Sequence, residues 1–327
     1  MSPTHPGLTL RPYQVMCAIC SLGEATSGRT DPASAKILDA IRQSPDRPLT
    51  LTCNAGDVFA YQDPGTKDDT PEGLEFNRRR DLEILYKLNL FPGCTLPARI
   101  VFNRLLERIE DGTSICGYGT PTSAAWKGCP KALSDSYKRG REKGIAAIIP
   151  PRPEREMKLD KKTSMKAMHK AKTKDVRPHI LLCALCQYGG GTKPPYPEDN
   201  LPELIELILE KPDTLIRLVP GADWMMCAPC PSRSSKLGAC VCNKGSGGLP
   251  NQMRDLRVLQ KLGLAYGSTL KARNLYTLIF KRFSGMLALC GIEHSKPSVW
   301  WTGCGSATLE SEAFQRGKKR LMAALKK

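Results

Sequence analysis

The chain has 327 residues, 41% of them hydrophobic, 25% charged and 6% aromatic, enough for two domains with packed cores. Lysine and arginine number 49 against 32 acidic residues, a formal charge of +17 that suits anionic partners. No apolar run is long enough for a membrane-spanning helix, and the start, MSPTHPGLTLRP, lacks the basic and apolar regions of an export signal, so a cytoplasmic protein with no membrane association is expected.

In chain order, a helix is predicted over 34–42, then a short strand over 48–52 ahead of the Ala55-Gly56-Asp57 turn. Leu82, Leu85 and Leu88 mark a second helix ending near Asn89. Thr95 reads as the N-cap of a third, with Val101, Leu105 and Ile109 facing inward. The segment 151–176 is rich in proline, then in lysine, and reads as an exposed, partly helical linker without a core of its own. Beyond it, Leu201, Leu204, Ile205, Ile208 and Leu209 keep helical spacing and predict an amphipathic helix over 201–210. A strand follows over 214–219, ahead of Gly221-Ala222-Asp223. Leu256, Leu259 and Leu262 mark a helix ending at Gly263, and Ser268 or Thr269 reads as the cap of another that turns Leu275, Ile279 and Phe283 inward. A basic C-terminal helix starts around 309–312. The fold class is α+β, mostly helical, with two short strands expected in each half.

The two halves repeat one another. Arg11-Pro12 recurs as Arg177-Pro178, Cys17-Ala-Ile-Cys20 as Cys183-Ala-Leu-Cys186, and Asp57 as Asp223, all at one offset. At a larger offset, Arg80-Asp81-Leu82 recurs as Arg254-Asp255-Leu256, Thr95-Leu96 as Thr269-Leu270, Arg99 as Arg273 and Cys116 as Cys290. Trp126-Lys-Gly-Cys129 then recurs as Trp301-Thr-Gly-Cys304, and Arg139-Gly140 as Arg316-Gly317. The order is colinear, so two homologous lobes from an internal duplication are expected, 1–150 and 177–327. The growth in offset places an insertion in lobe two where Cys227, Cys230, Cys240 and Cys242 sit.

Fourteen cysteines in a chain expected in a reducing compartment point to metal ligation ahead of disulfides. The repeat offers one quartet per lobe: Cys17, Cys20, Cys116 and Cys129, and Cys183, Cys186, Cys290 and Cys304. The insertion offers a third, Cys227, Cys230, Cys240 and Cys242. Cys53 and Cys94 match Val219 and Ser268 and read as small core residues. Thiolate is a soft ligand for iron–sulfur clusters, zinc or cuprous copper. With only four histidines, mixed Cys/His zinc sites are disfavoured, and the apolar flanks (VMCAIC, LLCALC, LALCG) and the pairs Cys129-Pro130 and Cys230-Pro231 suit a 4Fe–4S cluster. Zinc held by four cysteines is the alternative.

Lobe two over about 177–267 resembles a small prokaryotic domain family of unknown function described as iron–sulfur binding. The resemblance rests on Arg177-Pro-His-Ile-Leu-Leu-Cys183, Gly189, Gly191, Asp223-x3-Cys227-Ala-Pro-Cys230-Pro231, Cys240, Asp255, Leu259 and the Leu-Gly-Leu at 262–264. It implies cluster ligation by Cys183, Cys227, Cys230 and Cys240 or Cys242, a division different from the one the repeat gives. Eight cysteines in lobe two permit either. Lobe one lacks the Asp-x3-Cys-x2-Cys-Pro signature, so the resemblance implies no site there and the repeat does.

These readings favour a duplicated protein with two or three 4Fe–4S clusters, passing electrons or sensing redox state, and docking an acidic redox partner. The alternative is a zinc-stabilised protein binding nucleic acid through its basic linker. No dinucleotide, phosphate-loop, serine-hydrolase or zinc-protease motif is present, and no catalytic residue is assigned. Gly189-Gly190-Gly191 and Gly245-Ser-Gly-Gly248 read as loop glycines, Asp57 and Asp223 as local backbone acceptors, and Trp126 and Trp301 as apolar cover for the metal.

Overall fold

The computed structural model describes residues 6–24, 31–55, 62–117, 120–241, 248–290 and 311–325. They form an α+β, mostly helical protein of two compact units, Met1–Pro151 and Arg152–Lys327.

In the first unit, β1 (Leu8–Leu10) leads into α1 (Pro12–Glu24) and α2 (Pro32–Gln43), which return the chain as β2 (Pro48–Leu51). β2 lies parallel to β1, with Leu8 opposite Leu49 and Leu10 opposite Leu51, and the two helices supply the crossover a parallel pair requires. Asp31 caps α2 by accepting from the Ser34 amide at 2.9 Å, and Pro32 sits in the first turn where its missing N–H costs nothing. After α3 (Leu74–Leu88), β3 (Thr95–Pro97) adds antiparallel to β2. α4 (Ala98–Arg108), α5 (Thr113–Cys116) and α6 (Ser136–Glu142) complete the unit. Val15, Ile19, Ile41, Leu49, Leu51, Ile84, Leu88 and Leu105 fill its core.

The second unit opens with α7 (Glu154–Lys170) and β4 (Thr173–Val176), followed by α8 (Pro178–Gly190), α9 (Leu201–Glu210), β5 (Leu215–Leu218) and α10 (Trp224–Cys227). A short hairpin, β6 (Arg233–Ser234) and β7 (Ala239–Cys240), precedes α11 (Leu249–Leu262), β8 (Thr269–Lys271), α12 (Ala272–Arg282), α13 (Leu287–Cys290) and α14 (Glu312–Leu325). Its main sheet runs β4-β5-β8, parallel then antiparallel, the same order and senses as β1-β2-β3. Leu181, Leu185, Leu204, Ile208, Ile216, Leu218, Leu275, Ile279 and Phe314 form its separate core.

Two helix crossings come close enough to require glycine. A Cβ on Gly23 of α1 would sit 1.9 Å from the Ser136 carbonyl oxygen, and one on Gly140 of α6 would sit 1.9 Å from that of Ile19. In the second unit, Gly189 of α8 meets the Ala313 oxygen at 1.7 Å and Gly317 of α14 meets the Leu185 oxygen at 2.2 Å. Gly189 is thus a helix-crossing residue and not a loop glycine. Gly191 takes the left-handed cap of α8, and Gly245 lies outside the described residues.

Three expectations change. Segment 151–176 is no exposed linker: α7 buries Ser164 and Met168, Lys161 pairs with Glu203, and β4 is a strand of the second sheet. The methionines of α7 and the pairing of β4 with β5 outweigh the lysines, of which Lys158, Lys162, Lys166 and Lys170 stay exposed on α7. Thr95 and Thr269 are strand residues and not N-caps. Thr95 Oγ1 lies 2.7 Å from Thr50 Oγ1 across the sheet, and the helices start at Ala98 and Ala272. Each main sheet therefore has three strands where two were expected.

Candidate metal centres

α1 carries Cys17 and Cys20 one turn apart, hence on one face. Cys116 ends α5, and the Cys129 amide donates to the Cys116 carbonyl at 2.8 Å, so the two distal cysteines are tied by backbone. All four line one cavity of about 470 Å³. Burial pushes the Cys17 thiol up to about 11 and Cys116 up to about 12, and raises Cys20 and Cys129 as well; neighbouring thiols add to the effect on Cys17, Cys20 and Cys116. Without metal these are protonated thiols, so metal binding there displaces protons.

The helix that carries the cysteines is anchored from beneath. Asp81 of α3 accepts from Arg11 Nε at 2.7 Å and from the Tyr13 amide at 2.8 Å, at the first turn of α1. Arg11 also pairs with Asp69. Burial raises Asp81 to about 6 against the pull of Arg11. The second unit repeats this: Asp255 of α11 accepts from Arg177 Nε at 2.9 Å and from the His179 amide at 3.0 Å. Its carboxylate also meets His179 Nδ1 at 2.7 Å. Burial opposes ionisation of Asp255, but the His179 hydrogen bond and the His179 and Arg177 charges hold it below the ordinary carboxylate value.

In the second unit Cys183, Cys227, Cys230, Cys240 and Cys290 line a cavity of about 190 Å³. Asp223 caps α10 by accepting from the Met226 amide at 2.7 Å and so places Cys227. The Cys230 amide turns back to the Cys227 carbonyl at 3.0 Å, and Arg152 donates to the carbonyls of Ala228 and Cys230 at 2.6 and 2.9 Å. The hairpin brings Cys240 opposite Arg233, and Asn251 Nδ2 donates to Cys240 Sγ at 3.3 Å. Burial pushes Cys230 up to about 12 and Cys227 well above its ordinary value.

The first quartet therefore shares one cavity. In lobe two, the separation of Cys183 and Cys290 from Cys227, Cys230 and Cys240 is not what the structure shows, since all five line the same cavity. The hairpin carries Cys240 to the cavity that Cys183 of α8 also lines, which spacing along the chain cannot reveal. Cys186 lies on α8 but not among the lining residues. Cys242 and Cys304 lie outside the described residues, as do Asp57 and Trp301. Trp126 does not line the first cavity. Cys53 is core, as its match to Val219 suggests, while Cys94 is only half-buried. Among the described residues no three His, Cys, Asp or Glu side chains close on a single ion-sized point.

Reading the sequence for ligands alone missed Arg80 and Arg254, which line the two cavities, and the asparagines Asn77 and Asn251 that hold them. The repeated Arg-Asp-Leu was the available signal. Comparisons with protein-family models, with curated proteins and with solved structures gave no match. No helix of the described residues is long and apolar enough to cross a membrane.

Proposed function

We propose that the chain is a duplicated 4Fe–4S protein, with one cluster site per unit, that transfers electrons or senses redox state in the cytoplasm. The observation that carries this reading is the gathering of Cys17, Cys20, Cys116 and Cys129 from three separate stretches of chain onto one cavity. Buried thiols of one unit that merely pack have no reason to meet in this way. The cavity leaves room for a multi-atom cluster, and an all-thiol donor set matches the soft-metal preference. In the second unit Cys183, Cys227, Cys230 and Cys240, one of the two sets that the family resemblance implies, share a cavity, with Cys290 as a fifth thiol. A bound cluster supplies one-electron chemistry; the chain's own residues hold it, shield it from water and set its charge environment.

The duplication is supported by the matching sheet order, the matching glycine crossings and the matching Arg–Asp anchors of α1 and α8. Ligation by four cysteines leaves no open iron for substrate, which favours electron transfer or sensing over catalysis. An acidic redox protein is the partner that the net charge suits.

The test is anaerobic purification followed by dithionite titration. Broad visible absorption that bleaches on reduction and returns on oxidation is the expected result. A colourless protein that holds stoichiometric zinc and binds nucleic acid with steep salt dependence would establish the zinc alternative in its place.

A further inference from the structure

Arg80 projects from α3 into the first cysteine cavity and is 1% exposed. Its Nη2 donates to Asn77 Oδ1 at 2.7 Å and Thr70 Oγ1 at 3.2 Å, while its Nε is buried with no hydrogen-bond partner. The guanidinium lies over the Tyr13 and Phe76 rings, 4.2 and 5.1 Å from their centroids. Among the described residues no carboxylate lies within ion-pair distance of it, and the adjacent Asp81 is engaged by Arg11. Burying a guanidinium costs several kcal/mol unless negative charge faces it. Ring faces and neutral amides offset part of that cost only. Arg80 shares the cavity with Cys17, Cys20, Cys116 and Cys129 and with the carboxylates of Glu24, Asp31, Asp68, Asp69 and Glu72, none of which pairs with it, and its positive charge favours the thiolate form of Cys17, Cys116 and Cys129.

Arg254 occupies the corresponding place in the second cavity. Its Nη1 donates to Asn251 Oδ1 at 2.7 Å, and the same asparagine donates its Nδ2 to Cys240 Sγ. One sequence element, Asn-x2-Arg-Asp, thus serves each unit in two directions. The aspartate anchors the cysteine-bearing helix, and the arginine three positions after the asparagine faces the thiols.

We propose that Arg80 and Arg254 supply the counter-charge for the anionic group held in each cysteine cavity and so set how readily that group takes up an electron. This rests on the cluster reading above. A cation fixed in a poorly solvated site stabilises the more negative, reduced state, so its removal lowers the reduction potential. Tetrathiolate cages of iron and sulfide gain one negative charge on reduction, and it is that added electron which the guanidinium faces.

The test uses the full chain carrying Cys227→Ser and Cys230→Ser, which leaves the second cavity three of its five lining thiols and so confines the signal to the first, with iron, acid-labile sulfide and midpoint potential measured anaerobically. Adding Arg80→Gln is expected to shift the potential to more negative values at unchanged iron content, and Arg80→Lys to restore part of the shift. Loss of iron with Gln but retention with Lys also supports a counter-charge. An unshifted potential with iron retained in Arg80→Gln overturns the inference, and so does equal iron loss in both variants, which would assign the arginine to packing. If this doubly substituted parent itself holds no iron or sulfide, the cluster reading of the first unit fails, and the inference with it; that result is distinguishable because it precedes any change at Arg80.

Discussion

Replacing Gly140 by alanine tests the helix crossing that positions Cys17 and Cys20. In an unconstrained helix the change stabilises by about 1 kcal/mol. Here the new Cβ would lie 1.9 Å from the Ile19 carbonyl oxygen, about 1.5 Å short of the 3.4 Å at which ordinary contact begins. The obstacle is backbone, so no side chain can rotate away, and α1 and α6 must separate. Overpacking of this kind costs about 1–3 kcal/mol. Taking the upper end, less the gain in helix propensity, leaves a net loss of about 2 kcal/mol. For a unit of this size that lowers the midpoint of thermal unfolding by about 4–8 °C. Gly190→Ala is the control, because its Cβ meets nothing within 4 Å, and it should be neutral or slightly stabilising. Thermal unfolding followed by circular dichroism reads both. A Gly140→Ala protein as stable as wild type, or more so, would refute the close crossing.

The anchoring aspartates should differ in cost. Asp255→Asn removes the one carboxylate that pairs with Arg177 among the described residues and should cost about 3–5 kcal/mol in denaturant unfolding, whereas Asp81→Asn leaves Arg11 its Asp69 and should cost less; the reverse order would contradict the pairing. Asp199 is buried, and burial raises its carboxyl to about 7 from an ordinary 3.8. A raised carboxyl contributes most below the unfolded value and loses that contribution as pH rises to the folded one. Asp199→Asn should therefore flatten stability between about pH 4 and 7 and be no less stable than wild type at pH 8, with Gln187 able to turn its unpartnered Oε1 toward the new amide; an unchanged pH profile would count against the shift. A fragment of residues 152–327 should fold alone, and one starting at 177 should not, since it loses β4 and the buried Met168. Equal heteronuclear spectral dispersion in the two fragments would show that α7 and β4 are dispensable.

Much of this architecture is legible in the sequence where apolar spacing is strong. The helix expected over 201–210 is α9, Leu201–Glu210, and the inward face of α12, with Leu275, Ile279 and Phe283, is fully buried. The starts of α3 and α11 escape periodicity for a physical reason. Their first two turns bury polar residues, Asn77, Arg80 and Asp81, or Arg254 and Asp255, on the inward face, so the inward apolar run is continuous only from Ile84 and Val258, and Leu256, which spacing suggests as part of it, is exposed. The same polar faces form the anchor and the charged wall of each cavity, and a search for ligands passes over them. β1 and β4 are three and four residues long, too short to show an alternation. The sharing of one cavity by Cys183, Cys290 and the insertion cysteines is a long-range convergence with no local signature.

The central claim is that distant thiols of each unit jointly hold an iron–sulfur cluster, and it is tested most directly by elemental analysis of the anaerobically purified wild type beside Cys116→Ser. The account predicts iron and acid-labile sulfide in equal amounts in the wild type, and loss of the first unit's share alone in the variant. Iron and sulfide unchanged by Cys116→Ser, or absent from the wild type, would contradict it.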